Sequence, residues 1–365
     1  MAEIRVEKLH KAFGSFTAVK ESSFTVADGE FFVMLGPSGC GKTTTLRMIA
    51  GLELPTSGSI TLGGEDVTFK RASERDIAFV FQLFALYPHM NVRQNIAYPL
   101  KNQGTPAAEI KTRVEETARI LRISQLLDRS VTGLSSGDRQ RVALGRAIVR
   151  QPMAFMMDEP LGALDTEMRE VMIHELRNLH DRMGATTVYV THDQLEAMAM
   201  ADKIVVMNHG VVEQFGTPQE IYDKPASLFV ADFIGSPAMN FLRFHGSARR
   251  GATAVTLGAR DVPVPEIRAD IAEKPLVLGV RPEHIRLVDD GAVRGKALGS
   301  EYLGTTQIVT LETPYGAVKA RVPADKTVNR GETVALDFMA SRLSLFDAET
   351  GKALPTVLNQ GVVHG

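Results

Sequence analysis

The stretch "EFFVMLGPSGCGKTTTLRMIAGL" constrains the fold more than any other. Its middle, Gly36 to Thr43, fits G-x-x-x-x-G-K-[ST]. A short apolar run ending in glycine precedes it, and a helical pattern follows. Gly36, Gly39 and Gly41 let the backbone curl so that its N–H groups can face phosphate oxygens. Lys42 adds a point charge. The Thr43 hydroxyl suits Mg²⁺, and Thr44 can donate to a phosphate nearby. The glycine turn therefore reads as a nucleotide triphosphate site on a buried strand, with Ser38 and Cys40 inside it. Cys40 is the one cysteine of the chain, so neither an intrachain disulfide nor a cysteine zinc cluster is available. Its place beside a helix N-terminus predicts a lowered pKa, ready modification by thiol reagents and protection by ATP.

The rest of the first 235 residues supports an α/β reading. "MAFMMDEP" and "TTVYVTHD" are buried-strand runs, and "MREVMIHELRNLHDRM" is helical. Such alternation predicts a mostly parallel sheet covered by helices. Ligands of such sheets bind at the carboxyl ends of the strands. Asp158 ends one run and is suited to hold Mg²⁺ through water. Glu159 is suited to orient the attacking water. His192 ends another run, where it can contact a γ-phosphate. Gln82, ending "AFVFQ", offers a neutral amide that can sense Mg²⁺ or water.

"TGLSSGDRQRVALGRA" opens another helix. Ser135 with Asp138 three residues later reads as a capping box. Its exposed start with a glycine also suits an anion.

After Gly235–Ser236–Pro237 the texture changes to short segments of near-alternating polarity, broken by Gly, Pro and Asp. This predicts a second, all-β domain of short strands, a small barrel. The expected domains are 1–235 and 236–365, with "TVLNQGVVHG" as a loosely held tail. The chain has 365 residues and a net charge of −2. That balance gives no electrostatic case for nucleic acid or anionic lipid. No apolar run approaches the roughly 20 residues that span a bilayer, and the start has no signal-peptide core. A cytoplasmic protein is expected, reaching any membrane through a partner.

Together these pieces resemble the ATP-binding subunits of ABC transporters, and more narrowly the maltose-type and glycerol-phosphate-type importer ATPases. "GPSGCGKT" resembles the Walker A motif, "FVFQLFALYPHMNVRQN" the Q-loop and its sequel, and "LSSGDRQR" the signature motif. "MMDEP" resembles Walker B, "LGALD" the D-loop and "VTHD" the switch histidine. "FIGSPAMNFL" and "GVRPEH" resemble the C-terminal extension of the carbohydrate importers. The resemblance implies a P-loop NTPase domain with a helical subdomain, followed by an OB-like, TOBE-type barrel with a regulatory and dimerising role. It implies ATP and Mg²⁺, with Phe13 stacking on adenine and Asp165 at the interface of two ATPase subunits. Gln82 then couples nucleotide state to Leu83–Met90, which receives a permease helix. Ser135, Ser136 and Gly137 cap the γ-phosphate of ATP bound to the other subunit. The implied partners are a second ATPase subunit, two transmembrane permeases and, indirectly, a solute-binding protein, at the cytoplasmic face of the inner membrane.

Three positions depart from the family pattern. Ser136 stands for a glycine, Asp138 for a glutamine and Gly162 for a common serine. Asp138 brings negative charge toward a triphosphate, so weakened closure, or pairing with a second ATPase of intact signature, is expected. The competing readings are an exporter ATPase and an ABC ATPase of translation or DNA maintenance. The first lacks a long C-terminal extension, and the others need two nucleotide domains or a long coiled coil. An oligonucleotide-binding role for the barrel would need basic and aromatic platforms.

Overall fold

The computed structural model describes residues 2–82, 85–162, 164–361 and 363–364. Two compact units emerge, residues 1–218 and 219–364.

The first unit is built around a central sheet whose inner strands are buried along their whole length. β1 (Ile4–Phe13) and β2 (Phe16–Val26) form a hairpin, followed by β3 (Phe31–Leu35) and α1 (Lys42–Ile49). Next come β4 (Ser57–Leu62), β5 (Glu65–Asp66) and β6 (Ile77–Val80). Three helices then intervene, α2 (Val92–Asn102), α3 (Ala107–Ile120) and α4 (Ser136–Ile148). The unit continues with β7 (Ala154–Asp158), α5 (Thr166–Met183), β8 (Thr186–Thr191), α6 (Gln194–Met200), β9 (Lys203–Asn208) and β10 (Val211–Gly216).

Every residue of β3, β7 and β8 is buried, as a sheet covered on both faces requires. The strand order is β10-β9-β3-β8-β7-β6. β3, β6, β7, β8 and β9 run parallel, and β10 is antiparallel to β9. This order brings the carboxyl ends of β3, β7 and β8 side by side, with Leu35 level with Thr191 and Asp158 level with Val190. A second, antiparallel sheet has the order β2-β1-β4-β5. One apolar cluster includes Ile4, Val6 and Ile60 of this sheet, Leu46 and Met48 of α1, and Phe32, Met34 and Val190 of the central sheet.

The helical subdomain packs through small residues. A Cβ on Gly145 of α4 would come within 3.2 Å of the Ile96 side chain of α2, so glycine sets the close approach of these helices. α2 carries a reciprocal cap, with Asn91 and Gln94 each accepting the other's backbone N–H, which satisfies two otherwise orphaned donors.

In the second unit, α7 (Pro218–Asp223) and α8 (Leu228–Phe233) lead into strands. These are β11 (Asn240–Ala248), β12 (Ala254–Leu257), β13 (Arg260–Pro263), β14 (Ile271–Val280) and β15 (Ile285–Val288). β16 (Val293–Tyr302), β17 (Thr306–Thr313), β18 (Gly316–Pro323), β19 (Thr333–Phe338) and β20 (Ser344–Asp347) complete it. They form sheets β11-β14-β20, β12-β13 and β15-β19-β16-β17-β18. All three contribute to one apolar core, with Leu242, Leu257, Leu278, Val309, Leu336 and Leu345 inside it. Arg281, from "GVRPEH", is buried and donates to the carbonyls of Tyr222, Ala231 and Ile234. Its guanidinium also lies 4.1 Å from the Tyr222 ring centroid. The final segment corrects one expectation. Thr356 is buried and bridges Ile267, and Val357 N–H donates to Glu266. Backbone hydrogen bonds thus pin the start of the segment read as loose.

Candidate functional site

The phosphate-loop residues leave β3 at its carboxyl end. Gly41 is the N-cap of α1, and its φ of 105° places it in the left-handed region. A Cβ there would fall 2.5 Å from the Ala18 carbonyl oxygen, and one on Gly36 would fall 2.2 Å from that of Met207. Only glycine fits either position. The start of α1 has no side-chain cap and no acidic residue in its first turn. By contrast, α4, α5 and α6 are capped by Ser135, Asp165 and Asp193. An uncapped start next to a lysine is a cradle for an anion. Ser38 and Gly39 are exposed at its lip, and Thr44 is half-buried.

The opposite end of α1 is held by Arg75. This buried side chain donates through Nη1 to the carbonyls of Met48 and Ile49, both at 2.7 Å, and through Nη2 to those of Thr68 and Lys70. A cation at a helix C-terminus complements the dipole.

Lys42 is buried, with Nζ 2.7 Å from the Gly36 carbonyl and 2.9 Å from that of Pro37. Thr43 Oγ1 donates to Asp158 Oδ1 at 2.8 Å. Burial pushes the Asp158 carboxyl above the usual carboxylate range, against the Thr43 hydrogen bond that lowers it. A buried carboxylate beside a hydroxyl is a hard-oxygen pair, the donor chemistry that Mg²⁺ selects. The residues present therefore fit the ion.

Glu159 follows β7 in a left-handed backbone conformation, φ 44°. Its N–H donates to Val190 at 3.0 Å and its carbonyl accepts from Gly162 at 3.2 Å. Such a conformation costs about 1–3 kcal/mol for a non-glycine residue and persists where neighbours impose it. It aims the carboxylate at two further predicted residues. His192 Nδ1 lies 3.2 Å from Glu159 Oε2, and Gln82 Nε2 donates to the same oxygen at 3.4 Å. Glu159, His192 and Gln82, scattered over 110 positions of sequence, thus converge on one oxygen atom.

Phe13 sits at the tip of the β1–β2 hairpin, opposite Phe16, and is 47% exposed. Its ring has Lys11 Nζ 4.7 Å from its centroid. An exposed ring on the hairpin whose Ala18 abuts Gly41 is available for stacking. Of the segment after Gln82, Leu83 and Phe84 lie outside the described residues, as does Ala163 of "LGALD".

The expectation for Cys40 is corrected. The side chain is 3% exposed, and burial raises the thiol above its ordinary value. Lys42, with Nζ 3.8 Å from Sγ, lowers it by less. Desolvation outweighs the lysine and the helix terminus, so the thiol stays protonated.

Ser135, Ser136 and Gly137 engage α4 and α5. The capping box is half formed. Ser135 Oγ accepts from Asp138 N–H at 3.1 Å and donates to Asp138 Oδ2 at 2.8 Å. The carboxylate thus takes the serine proton instead of the serine backbone N–H. Arg141 stands 3.6 Å from Asp138 Oδ1 and 3.2 Å from Glu175. Ser136 Oγ accepts from Arg139 at 3.2 Å. A Cβ on Gly137 would meet Met168 Sδ at 3.0 Å. A Cβ on Gly162 would make only ordinary contact with Glu159, so that departure leaves its loop unstrained.

Sequence reasoning missed the side chains behind His192. Thr191 and Tyr189 both donate to Glu196, and Arg169 pairs with Asp193. The signals were the helix start at Asp193 and an arginine one turn past Asp165.

Residues 19–162 match the ABC transporter family, residues 235–285 the MalK OB fold domain and residues 278–346 the TOBE domain. The trehalose import ATP-binding protein SugC of Mycobacterium tuberculosis is 47% identical, over 97% of this chain and 98% of its own. The sn-glycerol-3-phosphate import ATP-binding protein UgpC of Ruegeria pomeroyi is 46% identical, over 97% and 99%. The trehalose/maltose import ATP-binding protein MalK of Thermococcus litoralis is 45% identical, over 97% and 100%. Among solved structures, cbiO1 from Clostridium perfringens, part of the ABC transporter complex cbiONQ, aligns at TM-score 0.57 and 28% identity. It covers 60% of this chain and 89% of that one. The ATP-binding cassette MJ0796, a dimer bound to ADP and Pi, aligns at TM-score 0.53 and 29% identity, over 59% and 98%.

Proposed function

The chain belongs to the ATP-binding subunits of ABC transporters, and from that premise we propose that it powers import of a sugar, a polyol or a glycerol phosphate. It is an ATPase of the importer type. No helix among the described residues is long and apolar enough to cross a membrane. We infer from the importer relatives that transport runs through partners: a second ATPase subunit, two permease subunits and a solute-binding protein, with this chain at the cytoplasmic face. Residues 1–235 form the ATPase, and residues 236–365 carry the regulatory and dimerising role.

The observation that carries this reading is the meeting of Gln82, Glu159 and His192 at one oxygen, beside the Thr43–Asp158 pair. In this reading the phosphate loop, from Gly36 to Thr44, cradles the β- and γ-phosphates with its N–H groups and Lys42. Thr43 and Asp158, with Gln82 near them, hold Mg²⁺, which when bound offsets charge on the triphosphate. Glu159 orients the attacking water by accepting its proton in a hydrogen bond. A loose phosphoryl-transfer transition state asks for position more than for basicity. His192 holds that carboxylate from the other side and reaches the γ-phosphate. Phe13 stacks on adenine. Ser135, Ser136 and Gly137 face the nucleotide of the other subunit, and Asp165 lies between the two sites. ATP thereby draws two subunits together, and its hydrolysis releases them, which the permeases convert to motion.

Glu159→Gln tests the core of this. The variant should bind ATP and accumulate as an ATP-bound dimer, with turnover reduced by at least about a hundredfold. Turnover at the wild-type rate removes Glu159 from this role.

A further inference from the structure

We propose that Arg169 is a positioning residue for hydrolysis, tying the Asp165 loop to the His192 loop through one guanidinium. The inference rests on the roles given above to Asp165 and His192.

Arg169 stands in the first turn of α5, the helix capped by Asp165. Its Nη2 donates to the Leu164 carbonyl at 3.2 Å, immediately before Asp165. Its Nη1 donates to Asp193 Oδ2 at 3.0 Å, immediately after His192. One planar fork thus holds both loops, a geometry that a lysine does not reproduce. The other oxygen of Asp193 is engaged as well, accepting from Leu195 N–H at 2.8 Å. Thr191, on the far side of His192, accepts from Asp193 N–H at 2.9 Å and donates to Glu196 at 2.7 Å. Glu196 is almost fully buried, with Tyr189 also donating to it at 2.8 Å. Burial raises its pKa, and Arg169, 3.8 Å away through Nε, lowers it. That Nε has no hydrogen-bond partner of its own.

His192 itself is exposed, and its link to Glu159 is a single 3.2 Å contact. Its direction is therefore set by the two residues that flank it, and both are held, directly or through Glu196, by the Arg169 cluster. A shift of the Asp165 loop pulls the Leu164 carbonyl, the guanidinium and Asp193 together. The orientation of His192 against Glu159 thus depends on how the interface loop is seated. The bond is mechanical, with no proton transferred.

The test uses the full chain, with ATPase kinetics and the ¹³Cε1 resonance of His192, assigned with His192→Gln. Arg169→Met should lower kcat about ten- to a hundredfold, as small misplacements of reacting groups do, while KM for ATP stays within about threefold. The His192 resonance should move without ATP present. Arg169→Lys keeps charge and loses the fork, and should follow Arg169→Met; wild-type behaviour there overturns the proposal. Should Arg169→Met fail to fold, Asp193→Asn cuts the same pair and keeps the α6 cap. It should show the same kcat loss and resonance shift, and an unchanged resonance overturns the idea. Arg177→Met, on the same helix with pairs to Asp181 and Asp202, should leave kcat within about twofold. An equal loss there would mark a general loosening of α5 and sink the assignment. A stalled Glu159→Gln alongside unaffected Arg169 variants would refute this inference alone.

Discussion

The signature turn gives the sharpest quantitative test, through Asp138→Gln. Ser135 now spends its hydroxyl proton on Asp138, at 2.8 Å. To donate to a γ-phosphate across the dimer it must break that bond. A hydrogen bond to a charged group contributes about 1.5–3 kcal/mol, and the exposure of Ser135 puts it at about 1.5. A carboxylate about 4 Å from a phosphate charge adds about 1 kcal/mol of repulsion in water. Arg141, 3.6 Å from Asp138 but shared with Glu175, offsets about 0.5 kcal/mol of this. The sum is about 2 kcal/mol against closure, or about thirtyfold in the dimer constant. Glutamine removes both effects and is itself a good third residue of a helix, so the fold should be unaffected. The assay is sedimentation of the Glu159→Gln protein at saturating ATP and Mg²⁺, with and without Asp138→Gln. The double variant should dimerise about thirtyfold more tightly. A change below about threefold would show that neither the diverted proton nor the charge governs closure.

Two further outcomes follow from burial. Cys40 should react with thiol reagents at pH 7.5 at least about tenfold more slowly in the native protein than in the unfolded chain; equal rates, followed by absorbance, would contradict its buried, protonated state. His180 is buried, with Nδ1 3.1 Å from Thr187 Oγ1. Burial first, then Arg177, holds its pKa below the ordinary value. The folded state therefore prefers the neutral ring. Its contribution is intact above about pH 6.5 and is lost as pH falls through that unfolded value. Melting temperature measured from pH 7.5 to 5.5 should fall more steeply for the wild type than for His180→Gln, and parallel profiles would contradict this.

The nucleotide site was legible where chemistry demands residue identity at fixed spacing. No other side chain replaces Gly36, Gly41 or Lys42, so the loop announces itself. The placement of Asp158, Glu159 and His192 at neighbouring strand ends was legible because buried parallel strands look alike in sequence. Cys40 was misread because sequence shows the helix terminus beside it but not the wall of side chains that removes water. Asp138 was seen as a charge, but which proton it accepts depends on the rotamer of Ser135. Arg169 was invisible as a partner of Asp193, 24 positions away, because only the strand order that brings β7 beside β8 makes them neighbours. The start of the final segment was misjudged for the same reason, since Ile267 and Glu266 hold it from nearly 90 positions upstream.

Arg75 gives the phosphate loop a property of its own. In the proposed cycle the front of α1 gains and then loses a heavily charged occupant, a recurring push and pull along the helix axis. At the rear, a permanent cation bolts the last carbonyls to those of Thr68 and Lys70. The helix behaves as a breech closed at one end: the muzzle is open to charge while the block stays put.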